Sequence, residues 1–273
     1  MAPPFFDTHC HLQDERFTLQ VRDVLERARR QGLSHFACCG CREEDWDSVR
    51  ALSRQHPDVI PLLGLHPWYV AEAGPHWLSR LERLLVEERA GVGECGLDFA
   101  IENADRPRQE QAFRQQLSLA RRLNHPVSIH CRKAWESLIA ITRDVGLPPC
   151  GAVVHSYSGS AEVARQLQAL GFYLSFSCSL ANPENRRSAK ALLAVTDERL
   201  LFETDAPDIP PRGVPGFGGT QINEPSNIHL VAEAAAALRG VEVAELAHRV
   251  HNNALRVFAG ILPTPGPSEA PCA

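Results

Sequence analysis

Lysine is nearly absent. Of 28 basic residues only Lys133 and Lys190 are lysines, and the rest are arginines. Arginine is the better bidentate partner for phosphate, but a chain-wide skew of this kind reflects coding composition more readily than function. Basic residues are also outnumbered by acidic ones, for a net charge of −5. That excludes a protein whose whole surface binds nucleic acid by bulk charge, so a phosphate substrate must be held locally. No apolar run reaches the roughly 18 residues that span a bilayer, which excludes a transmembrane helix. The start, Met1-Ala-Pro-Pro-Phe, lacks the basic region of a signal peptide, and the expected location is the cytoplasm. Nine cysteines are an odd number without an export signal and do not read as a disulfide framework. Cys38, Cys39 and Cys41 crowd together, but no Cys or His pair follows at zinc-finger spacing, so no separate structural zinc is expected. There is no internal repeat and no interdomain linker.

What is present is alternation. Strand-like apolar runs fall at 5–9, 35–39, 59–65, 91–95, 127–130, 152–155, 172–176 and 200–204. Helical windows lie between and after them, at 19–31, 44–55, 75–88, 108–123, 134–145, 161–170, 184–195, 226–238 and 242–258. Val163, Leu167 and Leu170 show the helical apolar spacing. Gly32, Gly146, Gly171 and Pro126 punctuate the pattern where turns are needed. Eight strands alternating with helices predict an α/β fold, a single (β/α)8 barrel over residues 1–261 with one extra C-terminal helix. A doubly wound open sheet shares the local pattern, but it usually carries a Gly-rich loop after its first strand, where this chain has His9 and His11. A Pro-rich tail, 262–273, is expected to be disordered. The longest irregular segment, 206–225, contains the Gly-rich stretch 213–219 and is expected to face substrate from the barrel rim.

Polar clusters end five of the apolar runs. They are Asp7-Thr8-His9-Cys10-His11, Gly93-Glu94-Cys95-Gly96-Leu97-Asp98, Ile129-His130-Cys131-Arg132, Val154-His155-Ser156 and Phe202-Glu203-Thr204-Asp205. His9 and His11 are two apart and share one face of an extended chain, as does Asp7. Glu94, His130, His155 and Asp205 end the fourth, fifth, sixth and eighth strands. All strand C-termini of a barrel converge on one face, so these residues are expected to meet. Six ligands (His9, His11, Glu94, His130, His155 and Asp205) exceed one tetrahedral ion and suit two, with Glu94 as the carboxylate bridge. Imidazole-rich ligation favours Zn²⁺, Mn²⁺ or similar ions over Mg²⁺. Cys10, Cys95 and Cys131 adjoin these ligands and should point the other way, toward the outer helices.

The set resembles the TatD-type metal-dependent deoxyribonucleases of the amidohydrolase superfamily over about Phe5 to Ala259. The matching motifs are Phe6-Asp7-Thr8-His9-Cys10-His11, Gly64-Leu65-His66-Pro67, Gly93 to Asp98, Ile129 to Ala134, His155-Ser156-Tyr157-Ser158-Gly159, Glu203-Thr204-Asp205-Ala206-Pro207 and Asn223-Glu224-Pro225, with the late stretch from Asn253 to Phe258. Where many superfamily relatives place a carboxylated lysine on strand four, this chain has Glu94, which is the TatD pattern. One departure concerns substrate. TatD-like chains usually carry a short basic stretch before Asn-Glu-Pro, whereas 212–222 here is longer and has Arg212 as its one cation.

The expected chemistry is metal-assisted hydrolysis. His9, His11 and Asp205 are assigned to one divalent ion (Zn, Mn or Mg), His130 and His155 to a second, and Glu94 to both. Asp205 is also the expected proton acceptor for the attacking water. Asp7, Asp98 and Glu203 are candidates for orienting the histidines; Glu203 is equally open to roles as a third ligand or a proton shuttle. His66 and Arg132 are candidate contacts for substrate phosphate. The resemblance implies a nucleic-acid phosphodiester substrate, DNA above all, cut by a 3′-5′ exonuclease. The competing expectation is another bond at the same site: an ester such as an aminoacyl-tRNA linkage, or an amide. A binding module without activity would have lost ligands, and none is missing here.

Overall fold

The computed structural model describes residues 3–213 and 222–263. Eight parallel strands follow one another round a nearly closed barrel in simple sequence order. They are β1 (Phe5–Cys10), β2 (Leu33–Cys39), β3 (Val59–Leu63), β4 (Gly91–Asp98), β5 (Val127–Arg132), β6 (Ala152–Val154), β7 (Tyr173–Phe176) and β8 (Leu200–Phe202). The helices are α1 (Val21–Arg30), α2 (Glu43–Gln55), α3 (Trp77–Glu87), α4 (Arg106–Leu123), α5 (Trp135–Val145), α6 (Ala161–Ala169), α7 (Arg186–Leu192), α8 (Ile228–Arg239) and α9 (Val243–Phe258). No described helix is long and apolar enough to cross a membrane.

Local sequence explains several boundaries. Asp105 caps α4 by accepting from the Arg108 N–H, with Pro107 in the first turn, and Asn124 ends the helix in the left-handed conformation. Ser160 caps α6 in the same way through the Val163 N–H. The cysteines flanking the polar clusters obey the two-residue alternation of strands. Cys10, Cys95 and Cys131 are buried in the layer between barrel and helices, whereas Cys39 faces the barrel interior.

The interior is filled from below by Phe6, Ala37, Ile60, Leu62, Val153 and Leu201. The extra C-terminal helix plugs this lower end. Phe258 of α9 stacks on Phe6 at 5.0 Å, and Asn253 Nδ2 donates to the Leu200 carbonyl at the start of β8. With the lower end packed solid, the space that remains lies at the strand C-termini.

Several strand ends differ from the sequence expectation by one to three residues, and two of them shape the upper face. β4 runs on to Asp98, because Gly96 lets its backbone lie tight against β5: a Cβ at Gly96 would sit 2.0 Å from the His130 carbonyl oxygen. β8 stops at Phe202, and Glu203 to Asp205 form the turn beyond it. Asp205 has φ of 60°. Bonds across this turn close the barrel: the Asp205 N–H donates to His9 O (3.0 Å) and the His11 N–H to Ala206 O (2.7 Å). Leu262, expected to begin the tail, packs against the lower core. The rest of the expected tail, from 264, and most of the Gly-rich stretch, 214–221, lie outside the described residues.

Candidate functional site

Glu94 is the centre of the upper face. It is 3% exposed, and its two oxygens look in different directions. Oε2 lies 3.4 Å from Nε2 of His9 and 3.4 Å from Nε2 of His11. Oε1 lies 2.8 Å from His155 Nε2, 3.1 Å from His130 Nδ1 and 3.2 Å from His66 Nε2. Asp205 Oδ1 closes the first group, 3.7 Å from His9 Nε2 and 3.5 Å from His11 Nε2. Three overlapping triads have ligand atoms within 4.8 Å of one another: His9, His155 and Asp205; His9, His11 and Glu94; and His66, Glu94 and His130.

The outward nitrogens of His9, His11 and His130 are engaged, whereas His155 Nδ1 has no hydrogen-bond partner among the described residues, Glu203 Oε1 standing 3.4 Å away. His11 Nδ1 lies 2.8 Å from the Cys39 carbonyl, which can only accept, so that nitrogen carries the proton. His130 Nε2 faces Asp98 Oδ2 at 3.0 Å. His9 Nδ1 sits 2.8 Å from the Ser128 hydroxyl. On His11 and His130 the outer partner is an acceptor, which leaves the inner nitrogen to ligate, and the inner nitrogens converge on carboxylate oxygens and on each other; His9 Nε2 and His11 Nε2 are 3.2 Å apart. Lone pairs facing anions at such distances call for a cation between them. The donor set therefore fits divalent metal ions, with imidazoles whose outer partners fix their orientation.

Against burial, Cys41 and Asp205 raise His11, Asp98 and Glu94 raise His130, and Glu94 and Glu203 raise His155, so without an ion these rings hold protons where a cation would sit. Burial alone would raise the Glu94 carboxyl, but His66, His155 and His9 hold it well below its usual value. Asp205 is likewise held down to about 2, against burial, by His11, His155 and His9. Burial lowers His66 to about 4 despite Glu94, so its ring is neutral; Nδ1 accepts from the Trp68 N–H, which leaves the proton on Nε2, facing Glu94 Oε1. Asp98 is held at about 2, against burial, by hydrogen bonds from His130, the Trp68 indole and the Ala100 N–H.

The predicted residues are distributed as follows. His9, His11, Glu94, His130, His155 and Asp205 meet in one cluster. Asp98 contacts His130. Glu203 Oε1 accepts from the Ser156 N–H (2.6 Å) and lies 3.4 Å from His155 Nδ1, while its buried Oε2 has no hydrogen-bond partner among the described residues. Arg132 is exposed at the mouth, its guanidinium 3.9 Å from Asp98. One placement, that of Asp7, departs from the sequence reading. Asp7 touches no imidazole ring: its oxygens take the Thr204 N–H (2.9 Å) and the Thr204 hydroxyl (2.5 Å), because the β1–β8 seam brings that turn against it. His66, expected at substrate phosphate, is 4% exposed with Nε2 on Glu94 Oε1, and it lines the cavity above the cluster. Ser128 was missed, although it lies two before His130 on β5 and so shares its inward face.

Above the cluster opens a cavity of about 850 Å³. Its wall carries Arg16, Arg42 and Arg132, the polar Ser156, Ser158, Ser179 and Asn185, and the aromatic Trp68 and Tyr69. Arg16 is engaged by Asp14 and Asp208, and Arg42 by Asp45.

Comparison with known proteins agrees with this geometry. A family model described as TatD related DNase matches residues 6–259. YcfH of Escherichia coli, named an uncharacterized metal-dependent hydrolase, is 34% identical over 258 residues, covering 92% of this chain and 94% of its own. The 3′-5′ ssDNA/RNA exonuclease TatD of Erwinia tasmaniensis is 32% identical over 257 residues, covering 93% and 99%. The crystal structure of YjjV, a TatD homolog from Escherichia coli, superposes with a TM-score of 0.87 at 30% identity, covering 93% of this chain and 98% of that one. On a match that spans nearly the whole barrel, the chain belongs to the TatD-related DNase family of metal-dependent hydrolases.

Proposed function

We propose that this protein is a two-metal exonuclease that hydrolyses phosphodiester bonds at the end of a single-stranded nucleic acid, DNA above all. The observation that carries the reading is the division of Glu94: one oxygen faces His9 and His11, the other His66, His130 and His155. His9 and His11 with Glu94 Oε2 and Asp205 would hold one ion. His130 and His155 with Glu94 Oε1 would hold the other, and the His66 Nε2–H donates to Glu94 Oε1 beside them. The histidine-rich donors favour zinc or manganese over magnesium. Bound divalent ions supply Lewis acidity and bring the pKa of water toward neutrality.

The protein's own groups do the remainder. Asp205, ionised and turned into the site, accepts the proton of the attacking water. Asp98 and Glu203 fix the rings of His130 and His155, and Ser128 and the Cys39 carbonyl those of His9 and His11. Arg132 provides an exposed cation beside the centre for substrate phosphate. Three arginines on the wall favour a phosphodiester over an amide, which would need an apolar slot. The cavity lies within the roughly 300–1,000 Å³ range of sites that take small ligands, which suits a chain end better than a duplex. The 3′-5′ polarity follows the relative from Erwinia tasmaniensis. Eight described cysteines are unpaired, in keeping with a reducing cytoplasm.

The test is cleavage of end-labelled single-stranded DNA by metal-reconstituted protein, beside Glu94→Ala and Asp205→Ala. Metal-dependent shortening, lost in both variants, is expected. Intact DNA with two metals bound per chain would overturn the nuclease reading in favour of an ester or amide hydrolase.

A further inference from the structure

Trp68 is fixed on two sides and open on a third. Pro67 restricts the backbone before it, and its own N–H donates to His66 Nδ1 at 3.2 Å. Its indole N–H donates to Asp98 Oδ2 at 2.9 Å, and its ring stands at 87° to that of His66 with centroids 4.9 Å apart. A ring anchored this firmly still leaves 49% of its surface exposed. Six other large hydrophobic side chains in the described residues are comparably exposed (Leu19, Val86, Leu193, Ile222, Leu238 and Val241), and none of them lines the cavity above Glu94. Tyr69, the neighbouring aromatic of the wall, is covered by the Arg42 guanidinium at 5.1 Å and is not an equivalent platform.

We propose that the open face of Trp68 is a stacking subsite for a nucleobase beside the hydrolytic centre, an inference that rests on the nucleic-acid reading above. Asp98 ties its parts together. The same carboxylate oxygen takes the Trp68 indole and His130 Nε2 and lies 3.9 Å from the Arg132 guanidinium. A flat apolar surface, a cation for phosphate and a histidine leading to Glu94 thus adjoin one carboxylate. A nucleotide presents a base and a phosphate at that kind of separation, whereas a small cyclic amide carries no phosphate beside its ring. Because the ring is already held, stacking costs little conformational entropy. Stacking also tolerates any base, since each has a π-face. The subsite therefore grips chain ends without reading their sequence, in a chain whose expected basic loop is poor in cations.

The test compares kcat/KM on two single-stranded oligonucleotides, one with adenine in the terminal nucleotide and one with a base-free tetrahydrofuran sugar there. The wild type should prefer the base by about 5- to 150-fold, the range that stacking on one aromatic provides. Trp68→Ala should bring this ratio close to one, mainly through KM, while Trp68→Phe, which keeps a ring, should retain most of it. A Trp68→Ala variant that slows both substrates alike, or a wild type with no base preference, would overturn the subsite and leave the nuclease reading standing. A wild type that cleaves neither oligonucleotide would remove both.

Discussion

Asp98 Oδ2 stands 3.0 Å from Nε2 of His130, on the side of the ring away from Glu94. Asp98 is ionised, held at about 2, so it accepts the Nε2 proton and leaves Nδ1 as the ligating atom. Asp98→Asn keeps the shape and removes the charge. The expected result is a loss of about 10- to 100-fold in affinity for the ion at His130, as for other carboxylates behind a ligating histidine. Apo-protein stability should change by about 1 kcal/mol or less. Metal titration against a competing chelator measures the first, and urea unfolding with excess chelator the second. Unchanged affinity would mean that Asp98 serves the Trp68 indole and the Ala100 N–H and not the ion.

Asp7 makes a contrasting prediction. It is fully buried and bonded to Thr204 rather than to an imidazole ring, and burial pushes its carboxyl up to about 8 despite those bonds. Asp7→Ala leaves the Thr204 N–H and hydroxyl without their partner at the barrel seam. The expected cost is about 1–3 kcal/mol of stability, the usual penalty for stranded buried donors. At a temperature where the variant is folded, its metal content by mass spectrometry should match the wild type. Metal loss without destabilisation would return Asp7 to the ligand-orienting role that its place in the sequence suggested.

These two aspartates show where the sequence is legible. Asp98, His130, Glu94 and Ser128 lie on β4 and β5, where two-residue alternation holds and facing can be read from numbering. The eight strand runs and intervening helices were legible for the same reason, since each carries its own period. Asp7 also lies on a strand, but its partner Thr204 is 197 residues away and arrives through barrel closure, which no local pattern encodes. His66, Glu203 and Asp205 follow strand ends, where turn geometry replaces alternation. Their types marked them as functional, but their contacts depended on turns such as the left-handed Asp205.

Gly96 separates Glu94 from Asp98 on β4 and has φ of 137°. A Cβ there would lie 2.0 Å from the backbone oxygen of His130, an overlap that no side-chain rotation relieves. Gly96→Ala should destabilise the fold by about 2–4 kcal/mol, combining overpacking with an unfavourable backbone conformation. It should also weaken metal binding, because β4 and β5 must separate where Glu94 and His130 meet. Gly260→Ala, where an added Cβ meets nothing within 4 Å, is the matched control and should remain close to wild type in thermal unfolding. Equal melting temperatures for the two variants would refute the strand-contact argument.

Far from the metals, one hydroxyl joins two histidines at the lower end of the barrel. Ser34 Oγ donates to the Phe5 carbonyl at 3.1 Å. It therefore accepts from both His35 Nδ1 and His251 Nε2, each at 2.9 Å. Burial lowers the pKa of His35 against the pull of Asp58, and burial, His35 and His248 lower that of His251. Both therefore bind protons less readily in the folded state than in the unfolded chain, where the value is about 6.5. Between the two values the unfolded state holds more protons, so stability rises with pH. The contribution is complete above about pH 6.5 and is lost as pH falls through the lower folded values. His251→Gln keeps an N–H for Ser34 and removes the titration. Unfolding of the metal-free protein, measured at about pH 7 and about pH 5, spans this range. The variant should lose less stability between them than the wild type. Equal losses would assign the acid sensitivity to the carboxylates instead of this pair.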